Sequence, residues 1–571
     1  MTQPDAAARR EAQLRDLRQR QQAHRPADAH HDLSHPHGEV SLPDHVSRWA
    51  DERGDQAAVV FATRVITYRE LDAHVRAVTG WLESMGVAPG DRVAVHLPNC
   101  PQFVIMMLAA LRAGAVHVPV NPMFTPDEIA YELRDSAPRV VLSARELWPH
   151  LAAALIENDL PVEQILLTSI PELVAGASTE ALPESPVPLT PFADALAQAR
   201  SQGAPVDLDA LAALNYTGGT TGLPKGCEHT QRHMRYTALS TAAATGESTE
   251  TPFVALCYLP IFWIAGEDLG IVLPIVLGGT SILMARWDAD EALTQIETHG
   301  ATHMVGTVEN YLELMARDDI AHRDLGSLIR PMAVSFVRKL DPEVRAAWRE
   351  VAGHRSVLRE AAYGMTETHT MDTTPFGFQE GDRDLFEEPV FCGLPVPGTD
   401  VLIVDWTTGD PLPLGTAGEI IVRSPSVMSG YWGRPDETAD QVREGWLHTG
   451  DHGRLDERGC LHFLGRAKEM IKVKGMSVFP AEIEMVIARH PAVGSCAVVA
   501  TADEDRGQRP VAFVTAAPGA EVDAADIADH AGRSLAAYKV PTVVVIEDFP
   551  MTATGKIRKV DLEDRARAAR G

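Results

Sequence analysis

The sequence has no CxxC pair. Its six cysteines, Cys100, Cys227, Cys257, Cys392, Cys460 and Cys496, are scattered singly. That spacing points to neither a zinc site nor a disulfide framework, so reduced thiols in a cytoplasmic protein are expected. A long apolar run is also missing. The longest uncharged stretch, Leu269 to Ala285, is broken by Pro274, Gly278, Gly279, Thr280 and Ser281. It reads as a buried helix followed by a buried strand rather than a membrane span. The first residues, MTQPDAAARREAQLRDLRQRQQ, lack the apolar core of a signal peptide. Positive charge is scarce, with 51 Lys and Arg against 79 Asp and Glu and a net charge of -28. This argues against a nucleic-acid partner and against adhesion to anionic membrane. Any anionic ligand must therefore meet cations concentrated locally.

What is present is ample apolar material: 45% of 571 residues. A single core stops growing well below this length, so two or more domains are expected. Residues 1–42 read as an N-terminal extension, rich in Arg, Gln, Ala and His, with little to bury. His30, His31, His35 and His37 have no accompanying Cys, so a solvated tail is expected rather than a metal site. From Val59 onward short apolar strands alternate with helical patterns. Thr67–Glu70 and Thr125–Glu128 are capping boxes, and RVAVHLP and VHVPVN are strands on either side of the helical PQFVIMMLAALRAG. Such alternation implies parallel sheets covered by helices. The stretch 172–205, rich in Pro, Ser and Ala, reads as a surface connection. A fresh α/β pattern restarts after Gly465-Arg466-Ala467-Lys468, with the strand MIKVKG and a helix opened by Pro480. The chain is thus expected to divide into an extension at 1–42, a large domain at 43–467 and a small domain at 468–571.

The strongest local signal is Tyr216-Thr-Gly-Gly-Thr-Thr-Gly-Leu-Pro-Lys-Gly226. Its glycines, Gly218, Gly219 and Gly222 among them, let backbone N–H groups close on an anion. Thr217, Thr220 and Thr221 add hydroxyl donors, and Lys225 adds a charge. No Gly-Lys-Ser/Thr follows, so this is not a Walker A loop. The plain alternative is a Gly/Thr-rich hairpin turn. Tyr363-Gly364-Met-Thr366-Glu367-Thr offers an aromatic face, a hydroxyl and one carboxylate. Those are the needs of a nucleotide base, a phosphate and a Mg²⁺ ion, which takes one or two carboxylates. Asp451 follows a turn and suits a ribose diol. Arg466, Lys468, Lys472 and Lys474 supply cations at the domain boundary, and Lys556 sits on a Gly-containing loop near the end. Each of these alone is as well read as an ordinary loop or solvated charge.

Together these segments resemble the adenylate-forming superfamily of acyl-CoA synthetases, peptide-synthetase adenylation domains and luciferases, over residues 43 to 565. The resemblance implies a large N-terminal domain of parallel-sheet α/β subdomains plus a small β subdomain, hinged to a small α+β C-terminal domain. It implies an ATP-dependent acid–thiol ligase that joins a carboxylic acid to coenzyme A through an acyl-adenylate, releasing AMP. By the resemblance, Thr217–Lys225 is the mobile phosphate loop. Thr366 bonds the α-phosphate, Glu367 ligates Mg²⁺ and Tyr363 lies on adenine. Asp451 and Arg466 hold the ribose, Lys468 is the hinge, Lys472, Lys474 and Gly475 border coenzyme A, and Lys556 is the adenylation lysine. A homodimer is one open assembly.

Two segments depart from the family pattern. Where a Ser-Gly-Gly-Ala-Pro-Leu is usual, this chain has Ser335-Phe336-Val337-Arg338-Lys339-Leu340, so the backbone approaches a ligand less closely. Where Pro-Leu-Phe-His is usual, it has Pro260-Ile-Phe-Trp263. Trp263, Phe336, Val337 and Gly364 are therefore expected to shape the acyl pocket for an unusual or bulky acid. The sharper alternative is a lost first step, resembling the non-adenylating acyl-CoA ligase type of platensimycin-like diterpenoid biosynthesis, which takes a ready-made acyl-adenylate. A stand-alone amino-acid or aryl-acid adenylating enzyme, a luciferase-like oxygenase and a non-catalytic nucleotide sensor are the remaining readings. The presence of Lys556, Glu367 and Asp451 speaks against the sensor.

Overall fold

In a computed structural model of the chain, all residues are described except 1–5, 31, 177, 179, 204, 218–222, 336–337, 362, 388–389, 475, 504, 552–555 and 569–571. Among the described residues the strands form four sheets. The first is seven-stranded. Its central parallel strands, Val140–Ala144, Arg92–His96 and Val116–Val120, run alongside Leu211–Tyr216, which folds back as a hairpin onto Gly226–Thr230. The second, also seven-stranded, pairs Arg359–Glu360, Arg330–Val334, His303–Thr307, Val254–Cys257, Thr280–Leu283 and Ala57–Phe61 in parallel, and ends on the antiparallel Arg64–Thr67. The helix Pro101–Arg112 is buried along its whole length because it shares one core with residues of both sheets. A helix apolar all round is stable only in such a position.

The capping boxes form as the sequence predicts. Thr67 N–H donates to Glu70 Oε2 at 3.0 Å, and Thr125 N–H donates to Glu128 Oε2 at 2.8 Å. The uncharged run resolves into Ile264–Glu267, a π-helical turn at Asp268–Val272, Leu273–Leu277 and then the strand Thr280–Leu283. Among the described residues no helix is long and apolar enough to cross a membrane. All six cysteines are free and buried.

An antiparallel eight-stranded sheet carries Tyr363–Met365 at one end and contains the neighbours Trp446–Leu455 and Leu461–Arg466. The fourth, five-stranded sheet begins at Ile471–Val473, and the helices Pro480–Ala488 and Ala524–Ser534 share its core. Mixed parallel and antiparallel sheets of this kind give the α/β class and the smaller α+β unit the sequence implies.

Two expectations are corrected. The described residues of 1–42 do not form a solvated tail. Ala6–His24 is a helix whose Leu14 and Leu17, each 1% exposed, enter the core of the antiparallel sheet beside Val401, Ile403 and Val422. Arg18 forms a two-pronged pair with Asp400 at 2.7–2.9 Å, and Gln13 donates to the Leu412 carbonyl. His37 packs against Trp49, with ring centres 4.2 Å apart, rather than trailing in water. Nor is 172–205 merely a surface connection. Leu189–Pro191 extends the first sheet, and Phe192 is fully buried.

Candidate functional site

The site is assembled where loops leave the carboxyl ends of parallel strands and meet the antiparallel sheet, the usual ligand position in such sheets. Strand pairing brings the first two polar groups together. Trp446–Leu455 and Leu461–Arg466 are antiparallel in a register that sets Asp451 opposite Arg466. Arg466 Nε lies 3.6 Å from Asp451 Oδ1. On the other carboxylate oxygen, Tyr363 O–H donates at 2.8 Å, so an aromatic ring is fixed beside the acid. Burial pushes the Asp451 carboxyl up to about 6, with Arg466 and the Tyr363 hydroxyl opposing the rise.

Gly364 has a packing reason to be glycine: an added Cβ would lie 1.8 Å from the Thr370 carbonyl oxygen on the next strand. After that strand, Thr366–Thr368 forms a tight turn, closed by His369 and Thr370 with φ of 54° and 84°. The turn is fixed from below. His229 Nε2 donates to the Thr366 carbonyl at 2.8 Å, which sets the tautomer of that ring. Deeper still, Glu267 lies 3.6 Å from His117 and 3.9 Å from His369, all fully buried.

Tyr431 links two further groups. Its hydroxyl donates to Glu367 Oε1 at 2.8 Å, while Lys225 Nζ sits over its ring at 4.0 Å and pairs with Glu437 at 3.0 Å. The neck of the glycine-rich loop is closed by Thr217 N–H to the Lys225 carbonyl at 2.9 Å and by Lys225 N–H to Thr217 Oγ1 at 3.2 Å. Gly218, Gly219, Thr220, Thr221 and Gly222 lie outside the described residues, as do Phe336, Val337 and Gly475.

Lys468 falls in the short turn Ala467–Glu469 between the antiparallel sheet and the C-terminal unit. Beside it, Lys559 bridges Glu469 at 3.1 Å and Glu484 at 3.0 Å. Lys556 still reaches solvent, yet crowding by protein and then the Arg466 charge lower its pKa below the ordinary lysine value. Lys472 and Lys474 are exposed, the first on the strand Ile471–Val473 and the second in the turn after it.

Trp263 caps Ile264–Glu267 and packs, half-buried, against the large core. Following the same segment, an apolar cavity of about 50 Å³ opens between Cys257, Leu259, Leu269, Met332, Met371 and Phe376. None of Trp263 and Gly364 lines it. Among the described residues, Glu387, Asp456 and His462 stand close enough for a metal ion, but Arg458 donates to both carboxylates at 2.9 Å and supplies the cation.

Of the residues expected at the site, the fold sets Tyr363 and Arg466 against Asp451, and holds Glu367 and the Thr366 backbone through Tyr431 and His229. Tyr431, Glu437, His229 and Lys559, which contact these groups or their neighbours, were not among the expected residues. A signal existed for Tyr431: an aromatic pair, Tyr431-Trp432, between Gly430 and Gly433. None existed for His229, whose partner is a backbone carbonyl.

The AMP-binding enzyme family model matches residues 46–432, and the AMP-binding enzyme C-terminal domain model matches residues 482–556. Across 93% of its length the chain is 31% identical to a long-chain-fatty-acid–CoA ligase of Bacillus subtilis, of which 95% is covered. It is also 31% identical to 4-coumarate–CoA ligase 2 of Solanum tuberosum, over 89% of this chain and 90% of that one. The crystal structure of the anthranilate CoA ligase AuaEII with anthranoyl-AMP superposes with a TM-score of 0.79 at 26% identity, covering 93% of this chain and 98% of the other.

Proposed function

The chain belongs to the AMP-binding enzyme family of adenylate-forming acyl-CoA ligases, and from that premise we propose that it activates a carboxylic acid with ATP and passes the acyl group to coenzyme A. The observation that carries the reading is the cluster of Asp451, Arg466 and Tyr363, and after burial it is the Arg466 charge that lowers the Lys556 pKa. The cluster offers a ribose-binding carboxylate, a base-stacking ring and a cation in one place.

The chemistry follows from charge. A carboxylate is a poor acyl donor at neutral pH, and its anhydride with AMP is a good one. In the first half-reaction the acid's oxygen attacks the α-phosphorus and pyrophosphate leaves. Lys556 and the Thr366 hydroxyl stabilise the charge that builds on the α-phosphate, and preorganised donors of that kind are worth about 2.7–4 kcal/mol each. Glu367 has one oxygen engaged by Tyr431, which leaves a donor that fits a magnesium ion's need for one or two carboxylates. Magnesium bound there and to the polyphosphate would neutralise part of its charge. Thr217, Lys225 and the glycines between them hold the ATP tail. In the second half-reaction the coenzyme A thiol attacks the acyl carbon and AMP leaves, after rotation at Lys468 brings Lys472, Lys474 and Gly475 to the site. We propose residues 43–467 and 468–571 as the two units that rotate.

Trp263, Phe336, Val337 and Gly364 are proposed to shape the carboxylate end of the acyl site. One observation favours a narrower second reading, thioester formation from a supplied acyl-adenylate only. Lys225 is already paired with Glu437 and seated on Tyr431, so ATP must displace an ion pair to use it. The test is thioester formation over a panel of acids, with ATP or with synthetic acyl-adenylates. The main reading predicts turnover with ATP, and turnover only from adenylates would select the second.

A further inference from the structure

The apolar cavity beside the Trp263 segment runs along one face of the second parallel sheet. Its wall includes Cys257 at the carboxyl end of Val254–Cys257 and Phe253 just before that strand's amino end. Because the reactive groups gather at the carboxyl ends, Phe253 and its neighbours form the far end of the cavity. Four residues of strand make this span about 13 Å. The far end is closed by charge and by aromatic packing. Arg330 donates to Glu247 at 2.8 Å, and His303 approaches the same carboxylate at 3.2 Å. Phe376, 6% exposed, lies between two guanidinium groups, Arg330 at 4.9 Å and Arg359 at 5.2 Å. Arg330 and Glu247 pair with each other, and the wall they close is lined mostly by apolar side chains.

Directly outside that wall passes a strap from the N-terminal segment, residues 25–30. Arg25 donates to the Pro395 carbonyl at 2.9 Å, and His30 N–H donates to the Ala243 carbonyl at 2.7 Å. Between these anchors Pro26 sits on Gly377, where an added Cβ would lie 2.1 Å from its Cγ. The Asp28 carbonyl sits on Gly246, where an added Cβ would lie 2.3 Å away. Asp28 also stands 4.0 Å from Arg330. Gly377 follows Phe376 and Gly246 follows Thr245, both of which line the cavity. The helix Ala6–His24 holds the strap in place by docking on the antiparallel sheet.

We propose that residues 25–30 back the far wall of the acyl pocket and so set the length of acid the enzyme takes: a compact apolar acyl group that ends at Phe376. The inference rests on the acyl-CoA ligase reading and deepens it. Within the pocket, each added methylene should strengthen binding about fourfold, the worth of burying one such group. Beyond the wall, binding should collapse.

The experiment is a calorimetric titration of the full chain with straight-chain carboxylic acids of increasing length, repeated on P26G/D28G and on F376A. The expected result is a sharp maximum for the wild type and a maximum moved by two or more carbons in both variants. In wild type, hydrogen exchange at the His30 amide should quicken when an acid one carbon past the maximum is added, which tests the strap without mutation. A maximum at one length in all three proteins, with unchanged His30 exchange, overturns the proposal, as does affinity that does not depend on length. Adding ATP and coenzyme A to the same samples separates the two claims. A shifted maximum without any thioester would retain the wall and refute the ligase reading, and thioester formation with an unshifted maximum would do the reverse.

Discussion

At Asp451 burial and charge pull in opposite directions. Burial raises its pKa to about 6, above the ordinary aspartate value, and Arg466 and the Tyr363 hydroxyl only partly offset it. The folded state therefore binds this proton more tightly than the unfolded chain does. The group's contribution to stability falls as pH rises from about 4 to 6 and is level above that. A ribose diol donates hydrogen bonds and needs the ionised form. Adenosine, which carries no titrating phosphate, should bind about tenfold more weakly for each pH unit below 6. Asp451→Asn should bind weakly at every pH. Calorimetry from pH 5 to 8 checks this, and a flat wild-type profile would contradict it. Asp451 and Arg466 were legible because each stands in a short motif of its own. Their pairing was not, since fifteen positions apart they meet only through the strand register. Tyr431 escaped notice because its two partners, Lys225 and Glu367, lie far away in sequence.

Among the elements, the N-terminal helix departs furthest from expectation. Its composition is polar, and only Leu14 and Leu17 present an apolar pair at i, i+3 spacing. Nothing in 1–42 announces that the receiving surface is a sheet nearly 400 positions later, where Val401 and Val422 complete the core. Leu14→Asp with Leu17→Asp should undock the helix, because two charges cannot be buried there without partners. Limited proteolysis should then cut within residues 6–30 at least tenfold faster, with the rest of the chain intact. Unchanged cleavage would show that the helix is held by Arg18–Asp400 and the backbone contacts instead. The helices at 68–84 and 101–112 were legible, by contrast, because capping boxes, proline and apolar runs are local signals. Next to the proposed hinge, Lys559 is set between Glu469 and Glu484, with 28% of its side chain exposed. Lys559→Ala leaves two carboxylates facing each other, and partial exposure limits the cost to about 1–2 kcal/mol. Denaturant melts of the C-terminal unit, followed by its own spectroscopic probe, should show that loss. Equal stability would mean the bridge is cancelled by desolvation.

On the scale of the whole molecule, a chain of net charge -28 must bind two polyanions. The cations proposed to meet them are local: Lys225, Arg466 and Lys556 for the nucleotide, and Lys472 and Lys474, exposed on and just after the strand Ile471–Val473, for coenzyme A. The global field is screened beyond about 8–10 Å at ordinary ionic strength. Coenzyme A binding should therefore depend on salt, and an affinity unchanged between low and high salt would remove Lys472 and Lys474 from that role. The proposed rotation about Lys468 also belongs to the scale of the whole molecule. Lys468→Pro should fix a dihedral that must change and slow one half-reaction more than the other. Equal losses in a folded protein would contradict a hinge. The division into two units was legible from the restart of α/β patterning after Arg466, and the order of strands within each sheet was not, because it is set by long-range pairing.

The most direct test of the account is the release of pyrophosphate from ATP by wild type and Lys556→Ala, set beside thioester formation from a supplied acyl-adenylate. The account predicts acid-dependent pyrophosphate release in wild type, a loss of about 10²–10³ in Lys556→Ala, the scale of one preorganised donor, and near-normal thioester formation by both. A wild type inert with ATP and every acid, yet fast with a matching acyl-adenylate and indifferent to Lys556→Ala, would contradict it.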